Sequence, residues 1–306
     1  MKKILIATKK PFDPAAIPQI KEIASNAGYS ADVFEKYEEQ SELVNKVKDA
    51  DALIIRSDKV TRQVVEAADN LKIVVRAGAG YDNVDLDACT EKGITVMNTP
   101  GQNSNAVAEL ALGMMVFQAR GQFNGKPGTE LRGKTLGIHA YGHVGRLVAQ
   151  IAKGFGMDVS AYDPFIDKSE ITKDGLKVYE SAEELYANNQ YISLHIPAND
   201  KTKKSIGTHL LKKMPENAVL INTARKEVIN EDELLKVMAD RDDFTYISDI
   251  APDCKDEIAQ KFEGRFFFTP KKMGAQTREA NINAGLAAAN QIVNFFEKGD
   301  TTFKVN

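Results

Sequence analysis

The chain has 306 residues, of which 43% are hydrophobic and 27% are charged, and this composition predicts two ordinary globular domains without disordered or fibrous segments. The 40 basic and 43 acidic side chains leave a formal net charge of −3, which excludes a surplus of positive charge for binding nucleic acid or an anionic membrane. No apolar run reaches the roughly 18 residues of a membrane span, and two cysteines cannot build a disulfide framework, so we expect a soluble cytoplasmic protein.

The first part of the chain predicts a parallel α/β sheet. Short apolar runs alternate there with amphipathic stretches, and continuous apolar runs suit strands that helices cover on both faces. Alternation of strand and helix is typical of βα units, whose strands run parallel. The predicted strands are residues 4–8, 31–34, 52–56, 72–76 and 95–98.

A second series of βα units is predicted after a helix over about residues 106–119 and a Gly- and Lys-rich connector at residues 121–134. A helix at residues 231–239 is marked by Asn230 as its cap and Glu233 three residues later. A last helix is expected at about residues 278–297, before Gly299. The strands of this series are residues 135–140, 158–163, 191–196, 218–223, 244–250 and 266–269. We therefore predict an α/β protein with two doubly wound parallel-sheet domains.

A turn between a predicted strand and a predicted helix favours a dinucleotide site. It begins at Ala140 and reads Ala-Tyr-Gly-His-Val-Gly, so alanine stands where the fingerprint has its first glycine, which is tolerable if the φ angle of Ala140 stays negative. Gly142 would let the backbone approach a pyrophosphate, and Gly145 would let helix and strand pack closely. The amides at the helix start, at His143 and Val144, would face the phosphates. An ordinary αβ turn is the alternative.

The end of the next predicted strand favours the dinucleotide site. It reads Tyr162-Asp163-Pro164, with Asp163 placed 18 residues after Gly145. An acidic side chain there can accept hydrogen bonds from both hydroxyls of the adenosine ribose and would repel a 2′-phosphate. The sequence therefore predicts NAD rather than NADP, unless Asp163 merely caps the following turn.

Four further stretches resemble the D-isomer-specific 2-hydroxyacid dehydrogenase family, and within it the D-3-phosphoglycerate dehydrogenase branch. They are a substrate-loop signature at residues 76–85, a crossover at 96–110, and the stretches at 131–138 and 221–225. The resemblance covers nearly the whole chain. It implies a Rossmann NAD domain over residues 98–285 and a flavodoxin-like discontinuous substrate domain made of residues 1–97 and 286–306, with catalysis in the cleft between them.

The resemblance also implies roles for residues near the ends of the second series of strands. Arg225 would grip the substrate carboxylate, which its planar guanidinium can bind with two hydrogen bonds, although a structural salt bridge is the alternative. Asp249 would hold the nicotinamide carboxamide. Other implied cofactor contacts are His195, Ile196, Pro197, Thr223, Ala224 and Gly274.

This sequence departs from the family at its catalytic Glu and His. The Glu position falls on Asp253 or its neighbour Cys254, and alignment on Gly274 puts Lys272 in place of the histidine, with Lys271 next in line. We predict that Lys272 is the catalytic acid and base, because an ammonium group can polarise a carbonyl and donate a proton. The alternative is that Lys271 and Lys272 form a solvated basic pair in a protein that has lost its acid.

The sequence has more basic side chains near the expected cleft than the one arginine that a substrate carboxylate needs, and these favour a phosphorylated substrate. The resemblance then implies D-3-phosphoglycerate, oxidised to 3-phosphohydroxypyruvate in the first step of phosphorylated serine biosynthesis. Glyoxylate, hydroxypyruvate and D-lactate remain alternatives, and so does an NAD-sensing, corepressor-like binding protein. The residues predicted to bind the substrate are Arg56, Ser57, Arg76, Ala77, Gly78 and Lys271.

The expected assembly is a homodimer formed through the NAD domain, with residues 103–119 near the interface. No C-terminal regulatory domain is expected. No metal is expected either, because the four histidines show no ligand spacing.

Overall fold

The computed structural model describes all 306 residues and divides them into two compact units. Unit 1 is made of Met1–Asn103 and Gln276–Asn306, and unit 2 is Ser104–Ala275. The family resemblance implied divisions after residues 97 and 285, so the first observed division lies later in the chain than implied and the second lies earlier. Both lie beside a helix rather than inside one, because a helix buries its apolar face as one continuous element. A division at residue 286 would cut through the last helix.

Unit 1 is a five-stranded parallel sheet with helices on both faces. The strand order is β2-β1-β3-β4-β5, and every neighbouring pair runs parallel. Two apolar clusters lie on opposite faces of the sheet, and the last helix packs beside the first. Its strands are β1 (Lys3–Thr8), β2 (Ser30–Glu35), β3 (Ala52–Ile55), β4 (Ile73–Arg76) and β5 (Thr95–Asn98), and its helices are α1 (Ala16–Asn26), α2 (Gln40–Lys46), α3 (Arg62–Ala67), α4 (Leu86–Glu91) and α12 (Arg278–Lys298).

Unit 2 is a seven-stranded parallel sheet with two apolar cores. The strand order is β12-β11-β10-β9-β6-β7-β8, so the direction of winding reverses between β6 and β9. Its strands are β6 (Thr135–His139), β7 (Asp158–Tyr162), β8 (Lys177–Val178), β9 (Tyr191–Leu194), β10 (Val219–Asn222), β11 (Thr245–Ser248) and β12 (Phe266–Phe268), and its helices are α5 (Ser104–Ala119), α6 (His143–Gly154), α7 (Lys168–Lys173), α8 (Ala182–Asn188), α9 (Thr208–Leu211), α10 (Glu231–Asp240) and α11 (Lys255–Lys261). Short 3₁₀ turns lie at Gly121–Phe123 and Lys226–Val228.

These two sheets confirm the predicted fold class. Each predicted strand is present, with ends that differ by a residue or two. The strand that sequence analysis missed is β8, which has two residues and is too short to show a periodic pattern. No helix combines the length and the apolar character that crossing a membrane would require.

The junction between β6 and α6 depends on the absence of a side chain at Gly145. A Cβ atom there would lie 2.3 Å from the carbonyl oxygen of Ala140 and 3.0 Å from Cγ2 of Ile138. Gly142, the N-cap residue of α6, differs because a Cβ added to it meets no atom within 4 Å. Gly145 therefore allows α6 to lie against the end of β6, whereas the protein's own packing does not require glycine at position 142.

The condition under which alanine is tolerable at the first glycine position, a negative φ at Ala140, is not met. The observed φ is 79°, a left-handed conformation that costs a residue with a Cβ atom roughly 1–2 kcal/mol. Two hydrogen bonds from β7 and its end hold the turn in this conformation. The amide of Ala140 donates to the carbonyl oxygen of Tyr162 at 2.9 Å, and the amide of Tyr141 donates to Oδ2 of Asp163 at 2.7 Å.

We predict that Gly145→Ala lowers the free energy of unfolding by about 1–3 kcal/mol, because the new methyl group must displace backbone atoms. Gly142→Ala is the matched control and should change that free energy by less than about 0.5 kcal/mol, since a poorer N-cap and a stiffer unfolded chain offset each other. Urea unfolding followed by circular dichroism measures both. Equal losses of stability in the two variants would contradict this account of the junction.

Candidate active site

The carboxyl ends of the strands in unit 2 gather most of the predicted site residues on one edge of the sheet. All the strands of this sheet are parallel, so the loops that follow them lie on the same edge, which is where α/β proteins bind ligands. Six loops carry these residues: those after β6 (Gly142 to Gly145), β7 (Tyr162 to Pro164), β9 (His195 to Pro197), β10 (Thr223 to Arg225), β11 (Asp249) and β12 (Lys271, Lys272 and Gly274).

The N-terminus of α6 lies on this edge and has the properties of an anion site. The helix has 12 residues, and no side chain caps its first turn. That turn carries no acidic residue, and Gly142 and His143 are exposed. The free backbone N–H groups and the positive end of the helix dipole can therefore bind a phosphate.

Asp163 joins this helix start to the end of β7. Its Oδ2 atom accepts from the amide of Tyr141 at 2.7 Å, while Oδ1 accepts from the amides of Phe165 at 2.8 Å and Ile166 at 3.3 Å. The side chain thus does cap the following turn, as the alternative interpretation held. A carboxylate has about four lone-pair positions, so these three hydrogen bonds leave acceptor capacity for a ribose hydroxyl.

The cation nearest to this acid along α6 is already neutralised. Arg146, in the first turn of α6, pairs with Glu170 at 2.6 Å and with Asp174 at 3.3 Å. Its guanidinium group also lies over the ring of Tyr141. A 2′-phosphate at Asp163 would therefore meet acidic rather than basic groups, which favours NAD over NADP.

Two histidines beside the switch point of the sheet are held in their neutral form. Burial lowers the pKa of His139 to about 4 and that of His195 to about 3. His139 Nδ1 lies 3.2 Å from the hydroxyl of Tyr186, and His195 Nε2 lies 3.0 Å from Oγ of Ser193. His195 can therefore serve as a neutral wall of a site, while its low pKa makes it a poor proton donor at neutral pH.

Thr223 carries a polar atom that the protein leaves unsatisfied. The residue follows β10 and is only 7% exposed, and its buried Oγ1 has no hydrogen-bond partner. Such groups are rare in folded proteins and call for a ligand or another explanation. Together with the uncapped start of α6, this hydroxyl fits a site for a polar cofactor.

Arg225 projects from the same loop without a carboxylate partner. Its Nη1 atom donates to the carbonyl oxygen of Ala224 at 2.9 Å, and its own carbonyl oxygen accepts from Nδ2 of Asn222 at 2.9 Å. No acidic side chain lies within salt-bridge distance of the half-buried guanidinium. The alternative of a structural salt bridge is therefore wrong, and the group can bind an anionic ligand.

The two residues expected at the position of the family's catalytic Glu, Asp253 and Cys254, do not have the surroundings of a buried catalytic acid. Asp253 is exposed and pairs with Lys226 at 2.5 Å, so solvent and a surface cation surround its carboxylate. Burial and the nearby Glu231 carboxylate raise the pKa of the Cys254 thiol to about 12, which keeps the thiol protonated. Neither residue therefore supplies a buried carboxylate equivalent to the family's Glu.

Glu231 is the acid that this loop does use, and sequence analysis missed it. Its two carboxylate oxygens accept from the amides of Asp253 at 3.0 Å and Cys254 at 2.9 Å. The signal was hidden because Glu231 looks like an ordinary acidic residue in the first turn of α10.

Asp249 uses both of its carboxylate oxygens on the turn that follows β12. Oδ1 accepts from the amide of Met273 at 2.7 Å and from Oγ1 of Thr269 at 3.0 Å, and Oδ2 accepts from the amide of Gly274 at 2.8 Å. The side chains of Lys271 and Lys272, which precede these amides, are exposed.

In unit 1 the predicted substrate residues lie together at the carboxyl ends of β3 and β4. Ile55 and Arg76 are register partners, so Arg56 and Ser57 follow one strand beside Ala77 and Gly78 on the next. Nε of Arg76 donates to the carbonyl oxygen of Arg56 at 3.0 Å. Gly78 has a φ of 149°, and a Cβ atom there would lie 1.4 Å from Nη1 of Arg76, so the guanidinium group packs directly on the glycine.

The backbone at Arg56 is held by a buried acid, Asp58, that sequence analysis missed. Asp58 is 4% exposed and accepts from the amides of Lys9 at 2.7 Å and Arg56 at 3.4 Å, and from the hydroxyl of Tyr37 at 2.7 Å. Nη1 of Arg56 donates to the carbonyl oxygen of Pro11 at 2.8 Å, and burial lowers the pKa of this guanidinium. No periodic or motif signal marks Asp58, since its contacts come from distant parts of the chain.

Metal ligands are not assembled in either unit. No group of three or more His, Cys, Asp or Glu side chains comes together in a way that could hold a metal ion.

Comparison with known proteins identifies relatives along the whole chain. D-3-phosphoglycerate dehydrogenase of Methanocaldococcus jannaschii is 38% identical over 272 residues, which cover 83% of this chain and 51% of that protein. Hydroxypyruvate reductase of Thermotoga maritima is 34% identical over 280 residues, covering 85% of this chain and 90% of that protein. This chain thus spans about half the length of the first relative and nearly the full length of the second.

A solved structure and a family model agree with these relatives. The crystal structure of NAD⁺-bound 3-phosphoglycerate dehydrogenase from Entamoeba histolytica has a TM-score of 0.87 and 47% sequence identity, covering 100% of this chain and 98% of that one. The model of the D-isomer-specific 2-hydroxyacid dehydrogenase catalytic domain matches residues 4–306. The family resemblance noted in the sequence is therefore confirmed, and the chain belongs to the D-isomer-specific 2-hydroxyacid dehydrogenase family.

Proposed function

We propose that this chain is an NAD-dependent enzyme that oxidises D-3-phosphoglycerate to 3-phosphohydroxypyruvate, the first step of phosphorylated serine biosynthesis, and that it also catalyses the reverse reaction. The observation that carries the proposal is the 47% identity, over the whole chain, to a 3-phosphoglycerate dehydrogenase whose structure contains NAD⁺. The second candidate is reduction of unphosphorylated hydroxypyruvate, which is favoured by the name of the Thermotoga maritima relative.

Different residues of unit 2 would bind different parts of the cofactor. The uncapped start of α6 at Gly142 would bind the pyrophosphate, and Asp163 would accept a hydrogen bond from a ribose hydroxyl. The unsatisfied hydroxyl of Thr223 would bond to a polar group of the cofactor, and neutral His195 would line its site. When bound, NAD⁺ supplies the acceptor for the hydride that leaves the 2-carbon of the substrate.

The chain's own groups would do the remaining chemistry. Arg225 would bind the substrate carboxylate with two hydrogen bonds, which fixes the neighbouring carbon. During oxidation the neutral Nζ of Lys272 would take the proton of the 2-hydroxyl group, and during reduction its ammonium form would return that proton to the carbonyl oxygen.

Unit 1 offers a second group of anion-binding atoms. We propose that Arg76 and the backbone around Gly78 bind one anionic group of the substrate, while Arg56 with Ser57 recognises its phosphate. The support is that Nη1 of Arg56 already donates to the carbonyl oxygens of Lys10 and Pro11 in the loop after β1, while Asp58 accepts from the backbone amide of Arg56. A preorganised guanidinium loses little entropy when it binds an anion.

A kinetic comparison of substrates tests the proposed activity. We expect NADH oxidation with 3-phosphohydroxypyruvate to have a kcat/KM at least about tenfold above that with hydroxypyruvate, because a phosphate adds charge-assisted hydrogen bonds. NADPH should be a poorer donor than NADH because Asp163 repels its 2′-phosphate. A preference for hydroxypyruvate would select the second candidate, and no oxidation with any 2-keto acid would leave an NAD-sensing binding protein.

Paired lysine variants test the proposed acid and base. Lys272→Met should lower kcat roughly 10²–10⁴-fold, the usual contribution of general acid–base catalysis, and leave the NADH dissociation constant unchanged. Lys271→Met removes the same charge one residue away and should keep kcat within about threefold, since Lys271 takes no proton, while the KM for the substrate rises because Lys271 is predicted to bind it. Stopped-flow turnover and NADH fluorescence measure the two quantities. Normal turnover of Lys272→Met would reject the assignment and support a solvated basic pair.

We also propose that the protein forms a homodimer through unit 2, near residues 103–119, in the cytoplasm. Half-exposed apolar side chains of α5, such as Val116 and Phe117, and the exposed rings of Phe123 and Phe155 support an interface there. The two cysteines are unpaired, as a reducing compartment favours.

Sedimentation equilibrium tests the assembly. We expect twice the chain mass of 33.6 kDa, and Val116→Glu should weaken the association because it places a charge among apolar groups. Gln150→Glu, at an exposed position of α6, is the control and should leave it unchanged. A wild-type monomer at micromolar concentration would contradict the proposal.

A further inference from the structure

Asn98 is the last residue of β5 and lies beside the loop that follows β4. It is the register partner of Arg76, so the residues after these two strands run next to each other. Asn98 is partly buried, and its Nδ2 atom donates to the carbonyl oxygen of Ala79 at 2.7 Å. Its side chain therefore connects the end of β5 to the glycine loop, which we define as Gly78 to Gly80.

The next residue of the chain holds the preceding peptide group of the same loop. The amide of Thr99 donates to the carbonyl oxygen of Gly78 at 3.0 Å. Two successive carbonyl oxygens of the glycine loop thus have donors from the end of β5. Any residue except proline supplies the backbone donor at position 99, whereas the other donor depends on asparagine at position 98.

Fixing a carbonyl oxygen also fixes the amide on the other side of the same peptide group. A trans peptide is planar, and its C=O and N–H bonds point in opposite directions. The bond from Thr99 therefore directs the N–H group of Ala79 away from β5. The bond from Asn98 does the same for the N–H group of Gly80. The protein gives neither amide an acceptor, and Ala79 is exposed while Gly80 is partly exposed, so both amides are available to an anion.

The chain beyond the glycine loop is held independently of Asn98. Nδ2 of Asn83 donates to the carbonyl oxygens of Asp58 at 2.6 Å and Arg56 at 3.2 Å. The amide of Val60 donates to the carbonyl oxygen of Asn83 at 2.9 Å. These bonds tie the segment to the loop after β3, so loss of the Asn98 side chain should free one peptide group rather than the whole segment.

We propose that Asn98 is a positioning residue that acts through the amide of Gly80. Its side chain holds the peptide group between Ala79 and Gly80 so that this amide donates to the anionic group that the loop binds. The inference rests on the anion-binding role proposed for the backbone around Gly78. A donor that is already oriented binds an anion without the cost of ordering it, and a peptide group free to turn loses that advantage.

Steady-state kinetics with 3-phosphohydroxypyruvate test the effect on the substrate. Asn98→Ala should raise KM about tenfold, the usual contribution of one hydrogen bond to a charged group. It should keep kcat within about threefold, because the reacting groups are untouched. Wild-type KM in this variant, or a loss of kcat at unchanged KM, would overturn the inference.

Asn290→Ala is the matched control. Nδ2 of Asn290 also donates to a backbone carbonyl oxygen of unit 1, that of Leu286 in α12 at 3.0 Å, far along the chain from the glycine loop. This variant should keep both kinetic constants at their wild-type values. Asn98→Leu, whose side chain has a similar size and no donor, should repeat the effect of Asn98→Ala, and thermal unfolding of each variant checks that the fold is intact.

Backbone amide signals in a nitrogen–proton correlation spectrum test the orientation of the peptide group. The probe is oxalate, which resembles the carboxylate end of a 2-keto acid, added to the protein with NADH. In wild type, oxalate should shift the signals of both Ala79 and Gly80. In Asn98→Ala the Gly80 shift should be lost, whereas the Ala79 shift should persist because Thr99 still holds its peptide group.

The spectra also separate this inference from the proposed function. A wild-type protein whose two amides do not respond to oxalate, or a Gly80 signal that responds equally in both proteins, would overturn the positioning role even if turnover is normal. A wild-type protein that reduces no 2-keto acid, yet shows the expected pattern of oxalate shifts, would reject the proposed activity and support the role of Asn98 in anion binding.

Discussion

The parallel pairing of every strand is the constraint on which both candidate sites depend. In a parallel sheet all strands end on one edge, so residues that are far apart in sequence meet in the loops beyond it. In unit 2 this brings together the loops after β6, β7, β9, β10, β11 and β12. In unit 1 the same rule brings Arg56 and Arg76 to neighbouring strand ends. The side chains that those loops carry therefore determine what each candidate site can bind.

Charge pairing decides which of the cations at these edges can bind a ligand. Arg146 lies close to the start of α6, yet two acids neutralise it. Arg225 has no acidic partner and keeps its guanidinium for an anion. The same contrast applies to acids, because solvent and Lys226 surround Asp253, whereas backbone amides hold Glu231 and Asp249. The position of a charged residue in a motif therefore says less about its role than its partners do.

By the family resemblance, this chain departs from the family pattern at the catalytic histidine, at its acid and at the first glycine of the nucleotide turn, where Ala140 stands. Arg225, Asp163, Gly142 and Gly145 match the pattern. A lysine does not need a neighbouring carboxylate to fix a ring tautomer, as a histidine does, but its long side chain has more rotational freedom.

The sequence by itself determined the fold class, the strands and the family, because these depend on local signals. Apolar runs of four to six residues, a glycine turn before an amphipathic helix and several ordered motifs are all visible without coordinates. It also placed Arg225, Asp163 and Lys272 correctly at strand ends, since a strand's end is a local property. The limit of local reasoning appears at Ala140, whose left-handed φ is imposed by hydrogen bonds from β7.

Only the tertiary structure decided which groups face one another. Asp58 and Glu231 look like ordinary acids in the sequence, and the backbone amides that they bind come from other loops. The placement of α12 in unit 1, more than 170 residues away from the other elements of that sheet, was known only through family resemblance. The partners of Asp249 lie 24 and 25 residues further along the chain, beyond any helical or strand period. Hydrogen bonds over such separations depend on how strands are ordered in a sheet, and that order is a property of the whole folded chain.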